Sequence, residues 1–199
     1  MSSTLQGTLY HWRNRYLLMR HGHSQANEQG LIVSSPERGL DAFGLSATGE
    51  RQLDEVVENW AWPVPSRIVH SDFLRTTETA GRVAKALGVP VEKDERLRER
   101  YFGEFDGQKV ACYEGVWVLD DSNAEHASHG VEPVARVAAR MQAVIEALEA
   151  RFEDETILLV SHGDPLQILL TAIAGKPLTG HRNQTPLEPA SITLVDKSA

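Results

Sequence analysis

Five side chains carry the chemistry that this sequence offers. Arg20-His21-Gly22 follows the apolar run Leu17-Leu18-Met19, and Ser161-His162-Gly163 follows the β-branched and leucine run Thr156 to Val160. Apolar runs of strand length that stop at histidine and glycine deliver two imidazoles to strand ends. Arg75 falls in or near the first turn of a helical repeat, and Glu99 sits in a glycine-containing segment between Leu97 and Gly107. Guanidinium groups are planar forks that bind phosphate bidentately. Two of them also oppose protonation of a neighbouring imidazole, which leaves His21 neutral and able to attack phosphorus. A carboxyl beside a developing dianion has a raised pKa, so Glu99 suits proton donation to an alkoxide leaving group, followed by deprotonation of an attacking water.

The intervening pattern must bring these residues together. It predicts an irregular arm over residues 1–14, a first strand at about Tyr16 to Arg20, and a long loop over 28–45. Ser46 caps a helix with Leu53, Val56, Val57 and Trp60 on one face, ended by Pro63 and Pro65. A strand from Arg67 to His70 precedes a helix capped by Ser71 or Asp72, carrying Ala80, Val83, Ala84 and Leu87 and closed by Gly88. Val89 to Val91 reads as a strand, and 108–130 is weakly patterned. After Pro133, the stripe Val134, Val137, Met141, Val144, Ile145, Leu148 and Phe152 is the clearest helix. The strand ending at Val160 then leads into a helix closed by Gly175 and Pro177, and Ser191 to Val195 is a last strand. Buried strands alternating with helices indicate an α/β three-layer αβα sandwich with a mainly parallel central sheet, whose strand C-termini meet in one crevice.

With 199 residues and no linker-like composition shift, one domain over 1–199 is expected. The net charge of −8 argues against a nucleic-acid or anionic-membrane partner, so any anion site must be local. No stretch resembles a signal h-region or approaches the roughly 20 apolar residues of a membrane span, and a cytoplasmic location is expected. Cys112 is the single cysteine and reads as a small semi-buried hydrophobe. His11, His70, His126, His129 and His181 are scattered without metal-ligand spacing, so no metal is expected.

Arg20-His21-Gly22-x-Ser24-x-x-Asn27 resembles the signature of the histidine phosphatase superfamily, the phosphoglycerate mutase-like family. Ser71-x-x-x-Arg75-x-x-x-Thr79-Ala80 is similar to its second-arginine helix, Leu97-x-Glu99-x-x-x-Gly103-x-x-x-Gly107 to its acid segment, and Ser161-His162-Gly163 to its second-histidine strand end. The resemblance implies that His21 is the phosphorylated nucleophile, that Glu99 gives and takes the proton, and that His162 completes the catalytic set. It also implies that Arg20, Arg75 and His162 hold the phosphoryl group, with Asn27 and the Gly163 amide assisting, and that neither metal nor cofactor is required. His23 stands where that family often has Glu or Gln and is a candidate for the substrate rim, together with Ser24 and Arg100.

These features favour hydrolysis of a small phosphorylated metabolite, releasing inorganic phosphate, through a phosphohistidine on His21. The span between Gly107 and Pro133 is shorter than the insertion of cofactor-dependent mutases, and a more open pocket admits water to the intermediate. A phosphoglycerate or phosphosugar mutase is the alternative, suggested by Glu99-Arg100 and the aromatic pair that follows. A non-catalytic phospho-ligand module ranks last, because every expected catalytic residue is present.

Overall fold

The computed structural model describes residues 12–196; the expected arm over 1–14 and His11 lie largely or wholly outside them. The strands are β1 (Arg15–Arg20), β2 (Arg67–His70), β3 (Val91–Lys93), β4 (Thr156–Ser161) and β5 (Ile192–Val195). They form one sheet in the order β3-β2-β4-β1-β5, with the first four parallel and β5 antiparallel to β1. The helices are α1 (Gln25–Gln29), α2 (Pro36–Gly39), α3 (Ala47–Glu58), α4 (Leu74–Leu87), α5 (Tyr113–Asp120), α6 (Val134–Arg151) and α7 (Gly163–Ile173).

Strand alternation explains the layers. Tyr16, Leu18, Ile157 and Leu159 pack against the apolar stripe of α6 and against Leu166 and Leu169 of α7. Their neighbours Leu17, Met19, Leu158 and Val160 face Leu53 of α3 and Ala80 and Val83 of α4 on the other side. The runs that read as continuous apolar stretches are therefore central strands buried on both faces. This is the expected αβα arrangement.

Register decides where the chemistry lies. β1 and β4 pair with Arg20 opposite Ser161, and the His21 N–H donates to Ser161 O at 3.0 Å. The two histidines that follow these strands thus leave the sheet side by side. A third cluster of Ile32, Phe102, Val116 and Val131 ties α5 and the loop after α1 onto the acid segment.

Several element boundaries differ from expectation for local reasons. The N-cap of α4 is Phe73, with no side-chain cap, because the Ser71 hydroxyl is directed to His162 and the Asp72 carboxylate accepts from Arg98 at 2.8 Å. β3 starts at Val91 rather than Val89: Gly88 leaves α4 in the left-handed region and the Val89 N–H still bonds Ala84 O. The weakly patterned stretch contains α5, whose buried residues are Val116 and Asp120 while Val118 is 63% exposed. The long loop over 28–45 holds the end of α1 and the single turn α2.

Candidate active site

His21 is 3% exposed, and its ring is oriented by the backbone. Nδ1 lies 2.7 Å from Gly22 O, a group that can only accept, so the proton sits on Nδ1 and the Nε2 lone pair faces outward. Arg75 Nε donates to that Nε2 at 3.1 Å, and Arg75 Nη2 donates to Val33 O at 2.9 Å. Burial, then the charges of Arg75 and Arg20, holds the His21 pKa well below its ordinary 6.5.

His162 stands 5.2 Å away, ring centroid to ring centroid, and presents the opposite nitrogen. Its Nε2 meets Ser71 Oγ at 2.9 Å, while Nδ1 is buried with no partner. Ser71 Oγ accepts from the Phe73 N–H at 3.4 Å and so has its own proton to donate to His162 Nε2. Burial and Arg75 keep His162 neutral, and with Nε2 accepting the Ser71 hydroxyl its one ring proton is on Nδ1, toward the crevice. A turn residue that reads as a helix cap in the sequence therefore fixes the tautomer of a site histidine.

Arg20 Nη1 donates to Leu187 O at 2.5 Å, and its Nε is buried without a partner. The Arg20 guanidinium lies beside Gly163, the first residue of α7, with Nε 3.4 Å from where a Cβ on that glycine would stand, an ordinary contact distance. Arg75 Nη1 is likewise buried and unpartnered. Arg20 Nε, Arg75 Nη1 and His162 Nδ1 are thus three desolvated donors grouped around the free face of His21. Each such atom is costly to leave unmade, about 1–3 kcal/mol, and an oxyanion placed among them would satisfy all three.

Glu99 closes the crevice. Its Oε1 accepts from the Arg100 N–H at 2.9 Å, and its Oε2 lies 3.9 Å from Arg75 Nη2 and 4.0 Å from His162 Nδ1. Burial outweighs the Arg75 charge and pushes the Glu99 pKa up to about 7. A carboxyl poised there can donate a proton in one step and accept one in the next.

The remaining expected site residues are divided. Asn27 lines the crevice while its Oδ1 accepts from the Ser24 N–H at 3.0 Å and from Ser24 Oγ at 2.9 Å, a reciprocal cap that starts α1. Ser24 lines the inner wall, fully buried, rather than the rim expected for it. His23 is turned away: its Nδ1 meets Ser46 Oγ at 2.7 Å at the start of α3, where a Cβ on Gly49 would lie 2.0 Å from His23 O. Arg100 is no rim residue either. It is 0% exposed, forks onto Asp120 at 2.7 and 2.8 Å and reaches Asp164 at 3.3 Å, because those carboxylates neutralise it inside the protein.

The competing cations are spent elsewhere, Arg82 on Asp54, Arg96 on Asp94 and Arg98 on Asp72. Sequence reasoning missed Tyr113, which lines the crevice from α5, and the supporting role of Ser71. Nothing in the pattern around Tyr113 marks it. For Ser71 only the structure supplies the signal: β2 pairs with β4 and the Ser71 N–H donates to Val160 O, two residues before His162, which brings its hydroxyl to that ring. Among the described residues, no group of three or more His, Cys, Asp or Glu side chains is placed to hold a metal ion, and no helix is long and apolar enough to cross a membrane.

Comparison with known proteins places the chain in a family. A relative in Proteus mirabilis, "Probable phosphoglycerate mutase GpmB", is 32% identical over 185 residues, 90% of this chain and 83% of its own length. A glucosyl-3-phosphoglycerate phosphatase of Mycolicibacterium vanbaalenii is 30% identical over 175 residues, 82% of this chain and 76% of its own. The solved structure of a mycobacterial glucosyl-3-phosphoglycerate phosphatase with VO3 superposes with a TM-score of 0.78 at 28% identity, covering 90% of this chain and 91% of that one. Residues 16–198 match the family profile described as histidine phosphatase superfamily (branch 1), and the chain belongs to that superfamily.

Proposed function

We propose that this protein is a metal-independent phosphomonoesterase that hydrolyses a small phosphorylated metabolite through a phosphohistidine on His21. The observation that carries the reading is the convergence of Arg20 Nε, Arg75 Nη1 and His162 Nδ1, all buried and unpartnered, around an imidazole held neutral. Phosphoryl oxygens take these donors, with the Gly163 amide and Asn27 at the edge of the cradle. As the phosphoryl group enters, Arg75 Nε–H turns from His21 Nε2 to a phosphoryl oxygen, and the freed lone pair attacks phosphorus in line with the leaving oxygen. Glu99 gives that oxygen its proton and the alcohol departs. The Glu99 carboxylate then takes a proton from water, the hydroxide displaces His21 from phosphorus, and inorganic phosphate leaves.

Hydrolysis of p-nitrophenyl phosphate by wild type and His21→Ala, each with and without EDTA, tests this reading. Wild type should turn over equally in both conditions, and the variant should lose several orders of magnitude, since positioning alone supplies only about 7–11 kcal/mol of the barrier lowering such esters need. Equal activity of the two proteins would overturn it. A mutase activity is the second reading, favoured by the name of the Proteus mirabilis relative. Incubating 3-phosphoglycerate with a bisphosphate primer separates them: isomer without free phosphate supports the mutase, and free phosphate alone the phosphatase.

A further inference from the structure

The loop over 28–45 reaches Arg75 through one carbonyl, Val33 O, which accepts from Arg75 Nη2 at 2.9 Å. That carbonyl belongs to the Val33–Ser34 peptide, a rigid trans plane whose C=O and N–H point opposite ways. The N–H end, on Ser34, donates to Asp106 Oδ1 at 2.7 Å. One peptide is therefore bonded at both ends, with Arg75 on its oxygen and Asp106 on its nitrogen.

Asp106 is built to hold that end. Its side chain is 11% exposed, and Oδ1 also accepts from Ser34 Oγ at 2.9 Å and from the Ser35 N–H at 3.2 Å. Its Oδ2 accepts from Ser35 Oγ at 2.7 Å and from the half-exposed Arg38 Nε at 3.0 Å. Burial works against the Asp106 charge, but the Ser34 and Ser35 bonds outweigh it and hold the pKa below the ordinary carboxylate range. The neighbouring backbone fixes the register: the Gly107 N–H donates to Ile32 O at 2.7 Å, and the Ile32 N–H to Gln108 O at 2.8 Å. The segment that carries Glu99 thus grips the loop beside the carbonyl that Arg75 uses.

Two physical effects reach Arg75 from this clasp. A planar guanidinium held at two nitrogens has its third fixed, so with Nε on His21 and Nη2 on Val33 O, Arg75 Nη1 is aimed as the unpartnered donor. Once Nε turns to a phosphoryl oxygen, Val33 O is the acceptor still bonded to Arg75 among the described residues, and the tilt of one peptide sets the guanidinium plane. The second effect is polarisation. A peptide that donates its N–H to a carboxylate carries more negative charge on its oxygen, which strengthens its bond to the guanidinium. Burial opposes the Arg75 charge, and the field of Asp106 adds to that of Glu99 in supporting it.

Resting on the phosphatase reading, we propose that Asp106 is a positioning residue for Arg75, acting through the Val33–Ser34 peptide to aim the guanidinium at the phosphoryl group. Asp106 does not itself line the crevice. Nothing in the local pattern marks it, since the peptide it holds lies 72 residues before it.

The test is a double-mutant cycle on p-nitrophenyl phosphate with wild type, Asp106→Ala, Arg75→Ala and the double variant, with the folded fraction of each read from thermal melts. Asp106→Ala should lower kcat by about tenfold or more, since a displacement of about 1 Å set from outside the reacting centre can cost about 10²-fold. In the Arg75→Ala background the same change should cost less than about twofold, because the residue it acts through is gone. Asp106→Asn keeps an oxygen for Ser34 and should recover most of the loss, and Arg38→Met, which removes only the exposed arm of the clasp, should match wild type. The His21 titration, followed by NMR without substrate, should move up in Asp106→Ala as in Arg75→Ala and no further in the double variant. If Asp106→Ala does not fold, Asp106→Glu, which keeps the charge but shifts it out of register, replaces it in the cycle. A wild-type kcat in the folded variant, or losses that multiply in the double variant, overturns the assignment. Hydrolysis that does not depend on His21 would overturn the phosphatase reading instead, and the His21 titrations of the same four proteins would still decide the role of Asp106.

Discussion

Arg75 Nε donates to His21 Nε2 across 3.1 Å. One guanidinium thereby does two things. It keeps the attacking nitrogen unprotonated, and it occupies the lone pair until a phosphoryl group offers better acceptors. Arg75→Ala should lower kcat/KM for aryl phosphate by about 10²–10³ or more, the range for removal of one preorganised donor. Removing a charge that lowers the His21 pKa should also raise that pKa toward 6.5, measurable by NMR titration. An unchanged titration with full activity would refute the pairing.

In the proposed mechanism Glu99 acts in both half-reactions with opposite protonation requirements. Its ligand-free pKa of about 7 predicts that phosphorylation of His21 by an alkyl phosphate slows as pH rises through that value, while hydrolysis of the phosphohistidine speeds up. Glu99→Gln should cost about 10²–10⁴ on alkyl phosphates and less in the first step on p-nitrophenyl phosphate, whose leaving group needs no proton. Phosphoenzyme should then accumulate in the variant, visible as a burst in rapid-quench measurements.

Ser71 is predicted to set the His162 tautomer. Ser71→Ala should reduce kcat/KM by roughly tenfold, as expected for loss of one hydrogen bond of about 1–1.5 kcal/mol. ¹⁵N shifts of His162 should show the proton redistributing between Nδ1 and Nε2. A variant with wild-type shifts would remove Ser71 from that role.

Arg100 is a stability residue. Arg100→Met takes the bidentate cation from buried Asp120, which keeps only His126 close by, and one of the partners from Asp164, which keeps His181 and Arg182; breaking a buried pair from one side costs about 3–5 kcal/mol. Denaturant midpoints should fall accordingly, and Asp120→Asn in the Arg100→Met background should recover part of the loss. If the variant is as stable as wild type, the ion pair carries no such weight.

Stability should also depend on acid in a calculable direction. His21 and His162 have folded pKa values depressed below 6.5, so as pH falls through 6.5 the unfolded chain takes up two protons that the folded one resists. Their stabilisation is present above 6.5 and is lost as pH falls. Glu99, raised from 4.5 to about 7, binds one proton in the folded state over the same window and offsets half of this. The two histidines outnumber Glu99, so these three groups leave a net loss of stability on acidification below pH 6.5. His162→Asn should flatten that slope, as read from urea midpoints between pH 5 and 6.5.

Much of this molecule was written in local pattern. The buried runs ending at Arg20-His21 and Ser161-His162, the stripe of α6 and the glycine after α4 are short-range signals, and a parallel sheet with helices on both faces follows from their alternation. The set His21, Glu99, His162, Arg20 and Arg75, which the structure brings to one crevice, was equally legible, because phosphate chemistry restricts the residue types that can serve it. What only the tertiary structure decided is how side chains share partners. The sequence alone permits Arg100 to face a substrate, and its burial depends on Asp120 and Asp164, 20 and 64 residues away. Ser71 reads as a cap until β2–β4 pairing brings His162 to its hydroxyl. Tyr113 lines the site from a position without periodicity, since a cavity wall is a property of elements meeting in space rather than of any one stretch of chain.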